Sequence, residues 1–242
     1  MKGSDLFHRL ASQEPFTGLH PLVARFFRDY LSREKAVRFG DRFVINTHFP
    51  PYPSGAFESL AEHFGALGDP HHRKLYSVTL GVTNRCHYHC WHCSNAGRSE
   101  RDMPFADIRK IARALSDMGS VMITLSGGEP LLREDLEDIA GLFDDRPCLM
   151  LNTTGSGLTK KRARSLKEKG LFAVGVSLDS MDPDAHDRMR GKPGAYQTAL
   201  QALRTASDAG LYPYIVAVAT RDLIEPGRFM EFVEFAGRSG AR

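Results

Sequence analysis

Leu75-Tyr76-Ser77-Val78-Thr79-Leu80-Gly81-Val82-Thr83, followed two residues later by Cys86-His87-Tyr88-His89-Cys90-Trp91-His92-Cys93, is the stretch that decides the fold. In its first part Val78, Leu80 and Val82 alternate with Ser77, Thr79, Gly81 and Thr83. That period of two predicts a strand with one bulky face and one small or polar face. Its second part sets three cysteines within eight residues at the strand's C-terminal end, where barrel folds place their chemistry.

Downstream, β-branched runs alternate with amphipathic ones. Further strands are predicted at Val121–Ser126, Cys148–Thr154, Phe172–Asp179 and Tyr212–Thr220. Helices are predicted at Phe105–Met118, Glu134–Phe143, Lys160–Lys169, Tyr196–Ala209 and Gly227–Gly237. In the first helix Phe105, Ile108, Ile111, Ala112, Leu115 and Met118 share a face, with Pro104 suited to its start and Gly119 to its stop. Strict alternation implies parallel strands joined by right-handed crossovers. The fold class is therefore α/β, a partial, open TIM-like (β/α) barrel of five or six units. The second and fourth strands repeat the two-faced pattern of the first. A lumen lined by small residues suits a ligand; the plainer alternative is that Gly and Ser relieve crowding.

Residues 1–70 read differently, as a mainly helical N-terminal extension before a barrel at 71–242. Pro21–Leu31 has helical spacing, Pro50, Pro51 and Pro53 interrupt regular structure, and a short helix near Ala56–Ala66 follows. The 242 residues, 42% apolar and 25% charged, suffice for a soluble domain with a real core. A net charge of +3 is too even for a nucleic-acid footprint. No apolar run approaches the roughly 20 residues of a membrane span, and the first residues lack the apolar core of a signal peptide. A cytoplasmic protein is the expectation.

Three clustered cysteines in a reducing compartment point to metal rather than disulfide. Thiolates suit iron–sulfur clusters and zinc alike. A [4Fe-4S] cluster normally takes four cysteines, and here the loop offers Cys86, Cys90 and Cys93, leaving one iron open. The competing site is zinc on three Cys and one of His87, His89 or His92, although zinc motifs favour Cys-x2-Cys pairs. Cys148, four residues before Asn152 on its strand, reads as a core residue.

The C-x3-C-x2-C loop after a first strand, with His92 before its last Cys, resembles the radical S-adenosylmethionine (SAM) superfamily. Four marks of that family follow in order: Ser126-Gly127-Gly128-Glu129-Pro130, Asn152-Thr153-Thr154-Gly155, Ser177-Leu178-Asp179 and His186-Asp187-Arg188-Met189-Arg190-Gly191. The last resembles the branch with molybdenum-cofactor, quinone-cofactor and SPASM-type peptide-modifying members. The resemblance implies a [4Fe-4S] cluster on Cys86, Cys90 and Cys93 and SAM held near His92, Ser126, Gly127, Gly128, Glu129, Pro130, Asn152, Ser177, Asp179 and Arg190. Gly127 and Gly128 would let the backbone approach the cofactor's amino group. Asp179 would bind the cofactor or cap the turn at Ser180–Pro183; Arg190 would pair with its carboxylate or stand in solvent.

By the same resemblance, reductive cleavage of SAM yields a 5′-deoxyadenosyl radical that abstracts hydrogen from a small-molecule or peptide substrate. The setting this implies is cofactor biosynthesis or peptide or natural-product maturation. An electron donor such as flavodoxin or ferredoxin is implied, and no catalytic acid or base is assignable. Alternatives are a glycyl-radical-enzyme activase and a non-catalytic zinc- or cluster-binding module. The family builds six strand–helix units where five are counted here, so the expectation is a barrel incomplete at its C-terminus.

Overall fold

The computed structural model describes residues 2–12, 16–66, 69, 71, 74–97 and 101–242. The helices are α1 (Gly3–Leu10), α2 (Pro21–Leu31), α3 (Gly55–Gly65), α4 (Phe105–Asp117), α5 (Leu136–Ala140), α6 (Lys160–Glu168), α7 (Pro183–Arg190), α8 (Ala195–Asp208) and α9 (Arg228–Arg238). The strands are β1 (Val37–Phe39), β2 (Arg42–Val44), β3 (Ser77–Thr83), β4 (Met122–Gly127), β5 (Cys148–Thr153), β6 (Leu171–Ser177) and β7 (Tyr212–Val216). β3 to β7 form one parallel sheet in chain order, the open architecture of a partial (β/α) barrel. No helix among the described residues is long and apolar enough to cross a membrane.

The chain divides into two compact units. One comprises residues 1–78, 111–123 and 143–148. Its core holds Leu6, Leu10, Phe27, Leu31, Phe57 and Leu60, all buried, with Phe27 edge-on to Phe64 and Tyr30 stacked on Phe49. The Ser54 hydroxyl starts α3 by accepting from Phe57 N at 3.1 Å. The other comprises residues 79–110, 124–142 and 149–242 and holds the C-terminal ends of all five sheet strands. Leu125, Leu151, Val174 and Val176 are buried there, as are Leu166, Ala199 and Leu203 from the helices.

Local signals account for what the sequence reading misses. That reading gives α7 only as a motif, yet Asp182 caps it by accepting from Ala185 N at 2.9 Å, and Pro183 opens it. The β1–β2 hairpin turns at Gly40-Asp41, with Gly40 at φ +61°. The helix expected over Glu134–Phe143 shortens to α5; at its start the Asp135 carboxylate is engaged by the Arg133 fork at 2.7 Å and does not cap the first turn. β6 and β7 end earlier than expected, at Ser177 and Val216.

The two-faced strand pattern has two outcomes. On β3, Ser77, Thr79 and Gly81 are exposed while Leu80 and Val82 are buried, but Thr83 on the small face is buried too. On β6 the small face is covered. Asn152, Gly175 and Tyr214 lie at one level of the sheet. A Cβ on Gly175 would come within 2.4 Å of Asn152 Oδ1 and 2.5 Å of the Tyr214 ring. Gly175 is small because a neighbour fills its space, so there crowding relief is the correct reading.

Candidate functional site

The loop leaving β3 carries Cys86 and Cys90 half-buried and Cys93 exposed. All three border a cavity of about 340 Å³, together with Asn84, Tyr88, His89, Asn95, Ala96, Gly97 and Gly128. Among the described residues, no group of three or more His, Cys, Asp or Glu is gathered closely enough to hold a metal ion. The three thiols share the wall of this one cavity. Cys93 N donates to Cys90 O at 3.2 Å, and Asn95 N donates to Cys93 Sγ at 3.3 Å. Burial pushes the Cys86 thiol up, opposed by a hydrogen bond from the Tyr88 backbone. His87 Nε2 lies 2.8 Å from Ser156 Oγ, while Nδ1 of His87 and of His92 are buried without a hydrogen-bond partner. Burial, then Arg190, hold His92 below its ordinary value.

The glycine turn after β4 lies against the lead-in to this loop. Gly128 N donates to Thr83 O at 2.7 Å and Glu129 N to Arg85 O at 2.8 Å. A Cβ on Gly127 (φ +137°) would lie 2.1 Å from Thr83 O, and one on Gly128 2.2 Å from Arg85 O. Both glycines are therefore demanded by backbone packing, and Gly128 also borders the cavity. G128A is expected to lower stability by about 1–3 kcal/mol, since backbone must move to admit the methyl. G237A, in α9 with open space around it, is expected to be neutral or to stabilise by up to about 1 kcal/mol. Urea melts of both variants check this; an equal response from the two would contradict it.

Glu129 is fully buried and does not border the cavity. Its Oε1 accepts from Leu131 N and Thr153 Oγ1, and its Oε2 from Thr154 N and Thr154 Oγ1, at 2.6–3.0 Å. The carboxylate thus ties the turn after β4 to the end of β5. Burial pushes it up against the pull of these four donors.

At the end of β6, Asp179 is buried. Its Oδ1 accepts from Arg190 Nη2 at 2.9 Å and Val218 N at 3.0 Å, and Arg190 Nε lies 2.6 Å from Oδ2. His186 Nδ1 accepts from Asp179 N at 3.1 Å. The Asp179 carboxylate is thus taken up by Arg190 and Val218 N, while within the turn Ser180 Oγ accepts from Asp182 N at 3.1 Å, and Arg190 is buried rather than solvated. Arg190 O accepts from His89 N at 3.1 Å and from Cys90 Sγ at 3.6 Å. A Cβ on Gly191 (φ +59°) would lie 2.4 Å from His89 O. The C-terminal end of α7 is thus seated against the cysteine loop.

Residues 80–233, which carry all of these features, match the family model of the radical SAM superfamily. This chain belongs to that superfamily. Its cofactors are accordingly a [4Fe-4S] cluster and S-adenosylmethionine. Similar curated proteins include the probable GTP 3′,8-cyclase of Methanosarcina mazei, 32% identical over 178 residues (70% of this chain, 53% of that protein). That of Methanocella arvoryzae is 36% identical over 149 residues (61% and 48%). The chain spans about half the length of these relatives. Among solved structures, Streptococcus suis SuiB bound to S-adenosylmethionine superposes with TM-score 0.61 at 19% identity, over 76% of this chain and 44% of that one. AdoMet-bound native anSMEcpe gives 0.55 at 19% identity, over 68% and 48%. These last likenesses concern the fold.

The site's own chemistry fits the radical SAM cofactors. Three soft thiols border one cavity whose volume falls in the ~300–1,000 Å³ range of small-molecule sites. The remaining residues read from sequence are spread along the strand ends. Ser126, Asn152 and Ser177 are half-buried, Pro130 is buried, and Asn152 Oδ1 accepts from Tyr214 Oη at 2.8 Å. Sequence reasoning missed Thr153 and Thr154 as partners of Glu129, Tyr214 over Gly175, and His186 under Asp179. The i, i+4 spacing of His186 and Arg190 on α7 was the available signal for the last.

Proposed function

We propose that this chain is the catalytic core of an enzyme that cleaves S-adenosylmethionine reductively and abstracts hydrogen from a small-molecule substrate. One observation carries the reading: Cys86, Cys90 and Cys93 border a single cavity together with Gly128, within the family-matched segment. Cys86, Cys90 and Cys93 would hold the cluster. Gly128, Asn84 and Asn95 would border the methionine end of the cofactor, and Ser126, Asn152 and Ser177 would meet its remainder. When bound, the cluster and cofactor supply a 5′-deoxyadenosyl radical. The chain seats that chemistry at the strand ends, with Glu129 and Arg190 bracing the turns from behind.

The GTP 3′,8-cyclase names of the curated relatives favour a small molecule over a peptide, and cofactor biosynthesis over peptide maturation, as its setting. Residues 1–70 would be an extension to this core. Electron delivery would fall to a small redox protein such as flavodoxin or ferredoxin.

Anaerobic reconstitution tests the reading. The chain is expected to bind about four irons and four sulfides and to release 5′-deoxyadenosine on addition of S-adenosylmethionine and dithionite. Stoichiometric zinc without sulfide would overturn it.

A further inference from the structure

We infer that Arg190, fixed by Asp179, is a positioning residue that sets the reduction potential of a cluster bound through Cys90. This rests on the proposed function. Arg190 Nη1 lies 3.9 Å from Cys90 Sγ, and the Arg190 carbonyl accepts from the same sulfur at 3.6 Å. One residue therefore meets this thiol with both its guanidinium and its backbone. The guanidinium is buried, as is its Asp179 partner. Val218 N holds Asp179 Oδ1, and His186 Nδ1 holds Asp179 N. For the pair to swing away, the Asp179 contacts with Val218 N, after β7, and with His186, on α7, must break.

Reduction adds one negative charge to a cluster and its thiolates. A positive charge beside a ligand sulfur favours the reduced form, so net charge and groups around the sulfurs tune the potential. Asp179 offsets part of that charge from the far side. The two residues should therefore act with opposite sign. Removing Arg190's charge disfavours the reduced form; removing Asp179's charge favours it. A purely structural pair would give no such opposition, because losing either partner would loosen the loop in the same way.

The experiment is a potentiometric titration of the reconstituted chain without S-adenosylmethionine, followed by electron paramagnetic resonance of the reduced cluster. R190Q is expected to lower the reduced-to-oxidised ratio at fixed potential on the order of tenfold, equivalent to about 59 mV for a one-electron couple. D179N is expected to raise that ratio, and R190K, which keeps the charge, to stay nearer wild type than R190Q. D179N preserves shape and an acceptor for Val218 N, so the sign remains readable if R190Q fails to fold. Shifts of the same sign in both variants, or none, would overturn the inference. So would unchanged potentials with weakened S-adenosylmethionine binding in R190Q, which would make Arg190 a cofactor ligand. A wild-type chain that assembles no cluster overturns the proposed function itself, a separate result.

Discussion

Each of C86A, C90A and C93A is expected to bring bound iron and sulfide down to background and to abolish 5′-deoxyadenosine formation, whereas C148A retains both. With one thiol gone, two remain for a cluster that already has fewer than its usual four cysteine ligands. Cys148 cannot replace the missing one. It is 4% exposed, at the start of β5, and burial pushes its thiol up to about 12, so it stays protonated and enclosed. Losing its sulfur leaves a small cavity, with an expected stability cost of about 1–2 kcal/mol. Iron and sulfide assays, visible absorbance and product analysis on the four variants check this. Full iron content in C90A, or its loss in C148A, would contradict the assignment.

The order of strands and helices was legible because hydrophobic periodicity is local. β3 to β7 and α4, α6, α8 and α9 fall within a few residues of their expected places, apart from the C-terminal end of β7. That Cys86, Cys90 and Cys93 border one cavity is legible because the three lie within eight consecutive residues. What was not legible depends on which atoms meet across the sheet. Gly127 and Gly128 look like a ligand cradle in sequence, and only the carbonyls of Thr83 and Arg85 reveal why no Cβ fits. Gly175 looks like open lumen until Tyr214 is found over it. Asp179 offered two local readings, a ligand or a turn cap, and took a partner eleven residues away on the next helix. Residues with several admissible partners are settled by tertiary packing, which a strand pattern does not encode.

E129A is expected to cost about 3–5 kcal/mol. Four donors converge on the carboxylate, and the two threonine hydroxyls can rotate to other acceptors. The amides of Leu131 and Thr154 cannot, and each buried donor left unmet costs about 1–3 kcal/mol, on top of the lost packing. E129Q keeps the shape and one carbonyl oxygen, but its amide nitrogen confronts either Leu131 N or Thr154 N, donor against donor. A smaller loss follows, about 1–3 kcal/mol. The pH dependence separates charge from shape. The carboxyl is raised in the folded chain, so above the ordinary glutamate value the unfolded state gives up its proton first. The folded state then binds more protons, and stability falls as pH rises through the shifted value. The E129Q variant has no carboxyl proton to lose at this position, so it should lack this component of the slope. Urea melts across that range, wild type against E129Q, read the difference directly. Parallel profiles would mean that Glu129 is ionised throughout, with its four donors outweighing burial.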